Sequence, residues 1–391
     1  MKRYKRQLYI LGIFWIISFQ SIMGQSSYIF HHLETSAGLS NNSVKTILRD
    51  SYGFLWIGTE SGLNRYDGYG FKVYTMRSGA HNSLVSNDII ELQEDGLGNI
   101  WVNFGYTYMV YKRDKDCFLS DIKQLLLGLG ILSDQNFKVF VDKKHNLWVL
   151  NKRKVFYYNI LKKTTAVFNL KIPLNDAITT EITDNGEFLY AVQKSRGCWQ
   201  MNKNSGVQTL IKLPDFIRQN IANNGNKIYV DSNNGLWLYS RMSDQIFYRK
   251  NPNQEWKGIV LTSGIKTESN SITSIVEDQT GQIWIGTDHK GLFIYDKAKD
   301  ALTNIVHQPW INTGLSSNCV ECLYRDNNET VWIGHNKKGL SFYHESFRNF
   351  VNFQFPECSD ISTIMEDHLR NIWLGTDGKG LYMKEKKQKV L

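Results

Sequence analysis

Proline is scarce in this chain, five in 391 residues, which argues against long disordered linkers. Long apolar runs are missing as well. The one apolar stretch of note, Leu8 to Phe19, is shorter than the roughly 20 residues a membrane-spanning helix needs. No Gly-x-x-x-x-Gly-Lys-Ser/Thr follows the glycines at Gly53, Gly58 and Gly62, so they are read as hairpin glycines and not as a phosphate cradle. There is no Gly-x-Ser-x-Gly elbow and no His-Glu-x-x-His. Basic clustering is confined to the two ends. The net charge of +9 falls to +5 without Lys2, Arg3, Lys5 and Arg6, and a mild, scattered excess of this kind is not expected to bind nucleic acid. Cysteine is sparse and odd in number, five, so the cysteines cannot all pair within the chain. Cys319-Val320-Glu321-Cys322 has the spacing of half a zinc site, but no second Cys or His pair stands at ligand spacing. Buried, unpaired thiols and no metal are expected.

What the chain has in abundance is repetition. Val44 to Leu63 reads VKTILRDSYGFLWIGTESGL, and the same phrase returns at Ile272 to Leu292, Val320 to Leu340 and Ile361 to Leu381. Trp56, Trp101, Trp148, Trp284, Trp332 and Trp373 recur about 40 to 55 residues apart, the period of a β-propeller blade. Two degenerate copies fit between Trp148 and Trp284. They are assigned to Leu189–Val192 after Asp184-Asn185-Gly186, and to Ile228–Val230 after Asn224-Gly225-Asn226, which makes eight copies of the second-strand position. Aromatic content of 13% suits such an all-β chain.

In the first unit an apolar strand carries Val44, Ile47 and Leu48, and Asp50 to Gly53 form a turn. Phe54 to Gly58 is the second strand, with Trp56 packing between blades, Leu63 to Tyr66 is the third, and Phe71 to Tyr74 the outer fourth. Tyr28 to Leu33 matches fourth-strand segments such as 71–74 and 350–353. A fourth strand that arrives first is expected to complete the last blade and close the ring. The expected fold is therefore an all-β propeller of four-stranded blades over residues 28–355. Seven blades are preferred and eight is the alternative, with 356–391 as an additional repeat ending in a basic tail. The basic start, apolar stretch and Gly24 read as a signal peptide over residues 1–24, which places the protein in the periplasm; a retained anchor is the alternative.

In a four-stranded blade, the loop into the first strand and the loop between strands two and three share one face of the ring. Asn42, Glu60, Asn103, Asp288, His289, Lys290, His335 and Lys337 fall in those loops, with Ser40, Asn41, Asn87, Asp88, Asn270, Asn318, Asn336 and Asp377. Phe104, Tyr106 and Tyr108 lie in or next to the same loop of the second unit. Amides and charges beside aromatic faces suit a sugar, so Asn42, Glu60, Asn103, Tyr106, Asp288, His289, Lys290, His335 and Lys337 are the candidate ligand-binding residues. The plainer reading is that the Asn and Asp residues make turns. Asp278-Gln279-Thr280-Gly281 and Asp326-Asn327-Asn328-Glu329 are read in that way and not as calcium loops.

The segments GLSNNSV, Gly38 to Val44, and LRDSYGFLWIGTESGLNRYDG, Leu48 to Gly68, resemble the two-component regulator propeller repeat. The resemblance runs from Tyr28 to Met383 and fades in the third to fifth units. It implies the periplasmic sensor of a hybrid two-component system that recognises an oligosaccharide and acts as a homodimer through the parent receptor. Kinase, receiver and membrane helix do not follow in this chain. The expectation is a non-enzymatic sensing module with no cofactor. The alternatives are a propeller carbohydrate lyase or hydrolase, with His289, His335, Glu60 and Lys290 as acid and base, and a protein-binding scaffold.

Overall fold

A computed structural model describes residues 28–78, 83–131, 136–171, 181–193, 197–221, 226–241, 243–261, 271–346, 361–378 and 380–384. The expected signal segment, the fourth-strand match at 350–353, Asn270, Cys358 and the tail at 385–391 lie outside the described residues. The chain divides into two compact units, Tyr28–Phe347 and a second formed by Met1–Ser27 with Arg348–Leu391. The fold is all-β and built of propeller blades. Among the described residues the first unit holds seven four-stranded antiparallel sheets, and the second unit one sheet of three strands, Ile361–Glu366, Ile372–Thr376 and Leu381–Lys384. No helix among the described residues is long and apolar enough to cross a membrane.

The repeat creates these sheets through one side-chain arrangement. In the turn after the first strand, Asp50 accepts the amides of Tyr52 and Phe54 through Oδ1 and the Trp56 indole Nε1–H through Oδ2, at 2.7 Å. The same bonds recur with Trp donors six residues on from Asp95, Asp142, Asp231, Asp278, Asp326 and Asp367. Each carboxylate ties its hairpin turn to the large ring of the second strand, which fixes the strand register and orients the ring. Trp56, Trp148, Trp237 and Trp284 are fully buried, and Trp56 packs into a cluster with Ile89, Leu92 and Tyr111 of the next sheet. The tryptophans therefore join blades as well as stabilise their own.

The fifth repeat differs from its sequence assignment. Ile228–Val230 belongs to the first strand, Asn226–Val230, and the second strand is Leu236–Ser240, with Trp237 in the repeat position. The reason is chemical: Asp231 through Gly235 is the repeat turn, and Asp231 receives Trp237 Nε1–H at 3.0 Å. Leu189–Val192 does occupy a second strand, Phe188–Gln193. There Tyr190 stands in the tryptophan position, and Lys203 bridges Asp142 at 2.7 Å and Asp184 at 2.9 Å.

Neighbouring sheets are joined by cations that the next sheet contributes to these carboxylates. Arg113 meets Asp50 at 2.5 Å, Lys203 meets Asp142, Lys297 meets Asp231 at 3.1 Å, and Arg49 meets Asp326 at 2.9 Å. The last of these joins the seventh sheet to the first. A second kind of joint is a socket: a Cβ on Gly334 would lie 2.7 Å from Val44 Cγ1 and 2.5 Å from Cys322 Sγ. Only glycine lets Val44 of the first sheet settle on the seventh. Closure is completed by His31–Leu33, which pairs with Leu340–Phe342 in antiparallel register. Beneath it His32 Nδ1 lies 2.9 Å from Ser341 Oγ, and His335 Nε2 lies 2.8 Å from the same hydroxyl.

Two expectations follow from these joints. Asp326→Ala strands the Trp332 indole and Arg49, and should cost about 3 kcal/mol of stability. In a double-mutant cycle with Arg49→Ala, coupling of about 0.5–3 kcal/mol is expected from denaturant midpoints; additivity would show that the inter-sheet pair contributes nothing. His335 is wholly buried, and burial, then the neighbouring His32 and His307, lowers its pKa to about 3. The unfolded chain takes up a proton near pH 6.5, whereas the folded chain resists until about 3. This group's stabilisation is therefore complete above pH 6.5 and declines as pH falls toward 3, by up to about 1.4 kcal/mol per pH unit. His335→Thr, the residue found at the matching Thr59 and Thr287, should flatten that part of the urea-midpoint profile. Equal pH slopes in both proteins would refute the assignment.

Candidate functional site

Glu60, Asn103 with Tyr106, and Asp288 to Lys290 occupy three junctions between neighbouring sheets. At the first junction Lys45 Nζ lies 3.3 Å from Glu60 and 2.9 Å from Asp88. Burial works against the Lys45 ammonium, but Asp88 and then Glu60 outweigh it and raise its pKa. Glu60 is thus half-exposed and held by a lysine. Asn42, by contrast, is structural: its side-chain oxygen accepts the Thr35 amide at 2.9 Å and its carbonyl accepts the Gly339 amide at 2.8 Å.

At the second junction Asn103 is buried, and its Nδ2 donates to Glu91 at 3.1 Å and to Tyr108 Oη at 3.4 Å. Lys138 of the third sheet pairs with Glu91 at 2.9 Å. Burial opposes ionisation of Glu91, yet Lys138 and Asn103 outweigh it and hold the carboxyl below its usual range. Burial likewise opposes the Lys138 ammonium, and Glu91, then Glu181, lift it well above the ordinary lysine range. The Tyr108 phenol, desolvated, is pushed up to about 12. Beside this network Tyr106 is 71% exposed. It lines a depression of about 510 Å³ with Gly105, Thr107, Tyr108, Ser120, Asp121, Ile122, Lys123 and Phe137. Asp121 is engaged there as the cap of the short helix Ile122–Gly128.

Glu91, Lys138, Glu181 and Lys227 stand at one register position of successive first strands, opposite Asn103, Leu150, Val192 and Tyr239. In the first, sixth and seventh sheets that position is Thr46, Ser274 or Cys322, each opposite a glycine. The second to fifth sheets therefore replace a small residue over glycine with alternating charges. Lys227 reaches Glu181 at 3.9 Å, as Lys138 reaches Glu91 at 2.9 Å, so opposite charges face each other between adjacent sheets. Sequence reading missed this wall, although acidic and basic residues alternating at one repeat position were the available signal. It also read the turn aspartates as turn-formers alone, although the constant six-residue step to tryptophan was visible.

At the third junction Asp288 is partly buried and His289 is exposed, with its Nδ1 3.5 Å from Asp288 Oδ2. Lys290 donates its amide to Thr287 Oγ1 at 3.0 Å. Cys319 of the seventh sheet lies close by, and burial, then the Asp288 charge, raises its pKa. Cys117, Cys198, Cys319 and Cys322 are all free; the expectation of burial holds for Cys198, whereas Cys117 at the start of its strand, Cys319 just before its strand and Cys322 within its strand opposite Gly334 are each partly exposed. Lys337 is exposed and adopts a left-handed backbone, φ 66°. His335 is not in the mouth. It ends the second strand of its sheet, where Thr59 and Thr287 are also fully buried, so its ring turns into the core and onto Ser341.

Comparison with known proteins places this geometry. Residues 38–61, 268–289 and 314–337 match the two component regulator propeller family. The chain is similar in structure to the extracellular domain of a hybrid two component system from B. thetaiotaomicron, with TM-score 0.65 and 23% identity over 92% of this chain and 48% of that one. A second such domain gives TM-score 0.61 and 19% identity over 91% and 45%. A streptogramin B lyase gives TM-score 0.57 and 13% identity over 82% of this chain and 99% of the lyase. At these identities the likeness concerns the fold alone. In sequence, 69 residues are 41% identical to Histidine kinase P4 of Formosa agariphila, which is 16% of this chain and 5% of that protein. The chain thus spans 48% or less of the two extracellular domains and a small part of the kinase. The two component regulator propeller repeat is thus matched in the first, sixth and seventh sheets, and the remaining sheets share its blade geometry.

Proposed function

We propose that this propeller is the periplasmic sensing part of a hybrid two-component system and that it recognises an oligosaccharide. The observation that carries the reading is the replacement of the glycine-packed position by Glu91, Lys138, Glu181 and Lys227 in the second to fifth sheets, with the exposed Tyr106 depression at the second. Paired charges and amides provide directed hydrogen bonds for hydroxyls, and Tyr106 offers an aromatic face to a sugar ring. The fold shared with extracellular domains of hybrid two component systems supports a site outside the cytoplasm. Residues 1–24 serve as the export signal in this reading, and the seven sheets of Tyr28–Phe347 form a complete ring, with the sheet at 361–384 opening another. Binding would bias paired receptors by preferring one arrangement, and phosphoryl transfer would belong to domains beyond this chain.

The lyase or hydrolase alternative has less support from the side chains. Of its acid and base candidates, His335 is buried at the ring closure, and Glu60 belongs to a different junction from His289 and Lys290.

Thermal-shift screening of the chain against defined oligosaccharides, with mass spectrometry of each hit, tests the proposal. A binder present at 100 times its Kd should stabilise the fold by about 2.7 kcal/mol and be recovered intact. Tyr106→Ala should weaken that binder by about 3- to 10-fold, the range of one aromatic contact. Cleavage of the sugar would establish the enzyme instead, and a panel with no shift would refute oligosaccharide sensing.

A further inference from the structure

The junction of the sixth and seventh sheets brings together three metal-ligating side chains that the sequence holds apart. Asp288 and His289 lie in the turn between the strands Ile283–Thr287 and Leu292–Asp296, and Cys319 immediately precedes the strand Val320–Arg325. One ligand atom from each residue lies within 4.8 Å of the other two. The segments that carry them are pinned by the backbone. Asp288 N donates to Ser271 O at 3.0 Å, Gly291 N to Asn318 O at 2.9 Å, and Asn336 N to Cys319 O at 3.2 Å. Cys319 N also donates to Ser317 Oγ at 3.0 Å. The main chain is thus held in place at both sheets, while the exposed His289 ring has room to rotate.

We propose that Asp288, His289 and Cys319 form a binding site for a divalent cation of the zinc class, on the loop face of the ring. A thiolate, a neutral imidazole and a carboxylate together carry two negative charges, which match a dication. The thiolate and imidazole favour zinc over calcium or magnesium, which take oxygen ligands. Three atoms no more than 4.8 Å apart share a point within about 2.8 Å of each, so zinc bonds of about 2.0–2.3 Å require only a small inward rotation. Three protein ligands leave the fourth tetrahedral position open to solvent, where an oxygen donor from a ligand can bind. This replaces the sequence expectation of no metal. The search for a second Cys or His pair failed because the ligands come from different sheets, and Cys322, the partner suggested by spacing, instead contacts the Gly334 socket. The site stands independently of whether the propeller binds a sugar.

Cobalt titration of the full reduced chain tests the proposal, since a cobalt–thiolate bond gives a near-ultraviolet charge-transfer band; zinc competition against a chromophoric chelator supplies affinity. One equivalent of each metal is expected. Cys319→Ser should abolish the charge-transfer band, and His289→Ala and Asp288→Asn should each weaken zinc at least tenfold. Cys117→Ser, Cys322→Ser and Cys358→Ser should leave the band in place. Both His289 and Cys319 lie outside the buried core, and melting curves of the variants report that they remain folded. Failure of the full chain to take up cobalt, or persistence of the band in Cys319→Ser, would overturn the assignment.

Discussion

The turn carboxylate that receives the repeat tryptophan is the constraint on which the rest of the ring depends. Through Oδ1 it holds the two turn amides, and through Oδ2 it takes the indole N–H six residues on. A carboxylate removed from water needs every lone pair satisfied, and at Asp50, Asp142, Asp231 and Asp326 turn, ring and a cation from the next sheet do so together. Turn geometry, strand register and blade-to-blade contact are therefore one interaction and not three. Where tryptophan is missing, at Tyr190, Lys203 reaches Asp142 and Asp184 together and maintains the joint by charge.

A second constraint acts nearer the axis. In the strong repeats a second-strand glycine accepts a branched side chain from the next sheet, as Gly334 accepts Val44 and Gly286 accepts Val320. Sheets two to five dispense with that socket and place charges on the first strand instead. Their hydrogen bonds run between sheets, as in Gln93 Nε2 to Val139 O and Val141 N to Gln93 Oε1. Polar groups thus hold the sheets where the repeat is weak, and those same groups give this side of the ring its chemistry.

The histidines show how position decides role. His289 sits in a turn and is exposed, whereas His335 replaces a buried threonine at the end of a strand and binds Ser341. Both fall within the same short stretch after a repeat tryptophan. One is available to a ligand, and the other belongs to the closure formed with His32 of the first strand.

Propeller architecture, the outer strand supplied by the chain's beginning and the order of strands within a strong unit were all legible in the sequence, because local turn chemistry and period-two patterning act over a few residues. Tyr28–Leu33 could be matched to a fourth strand for that reason, and Trp56 could be read as a ring between blades. The fifth repeat was misplaced by one strand because its apolar triplet, Ile228–Val230, resembles a second strand until Asp231 is seen to hold Trp237. Only the tertiary structure decided which residues meet across sheets: Glu91 with Lys138, Arg49 with Asp326, and Cys319 with Asp288 and His289. Those meetings arise from closing a ring, which brings together side chains from separate repeats, and no spacing within a single repeat encodes them.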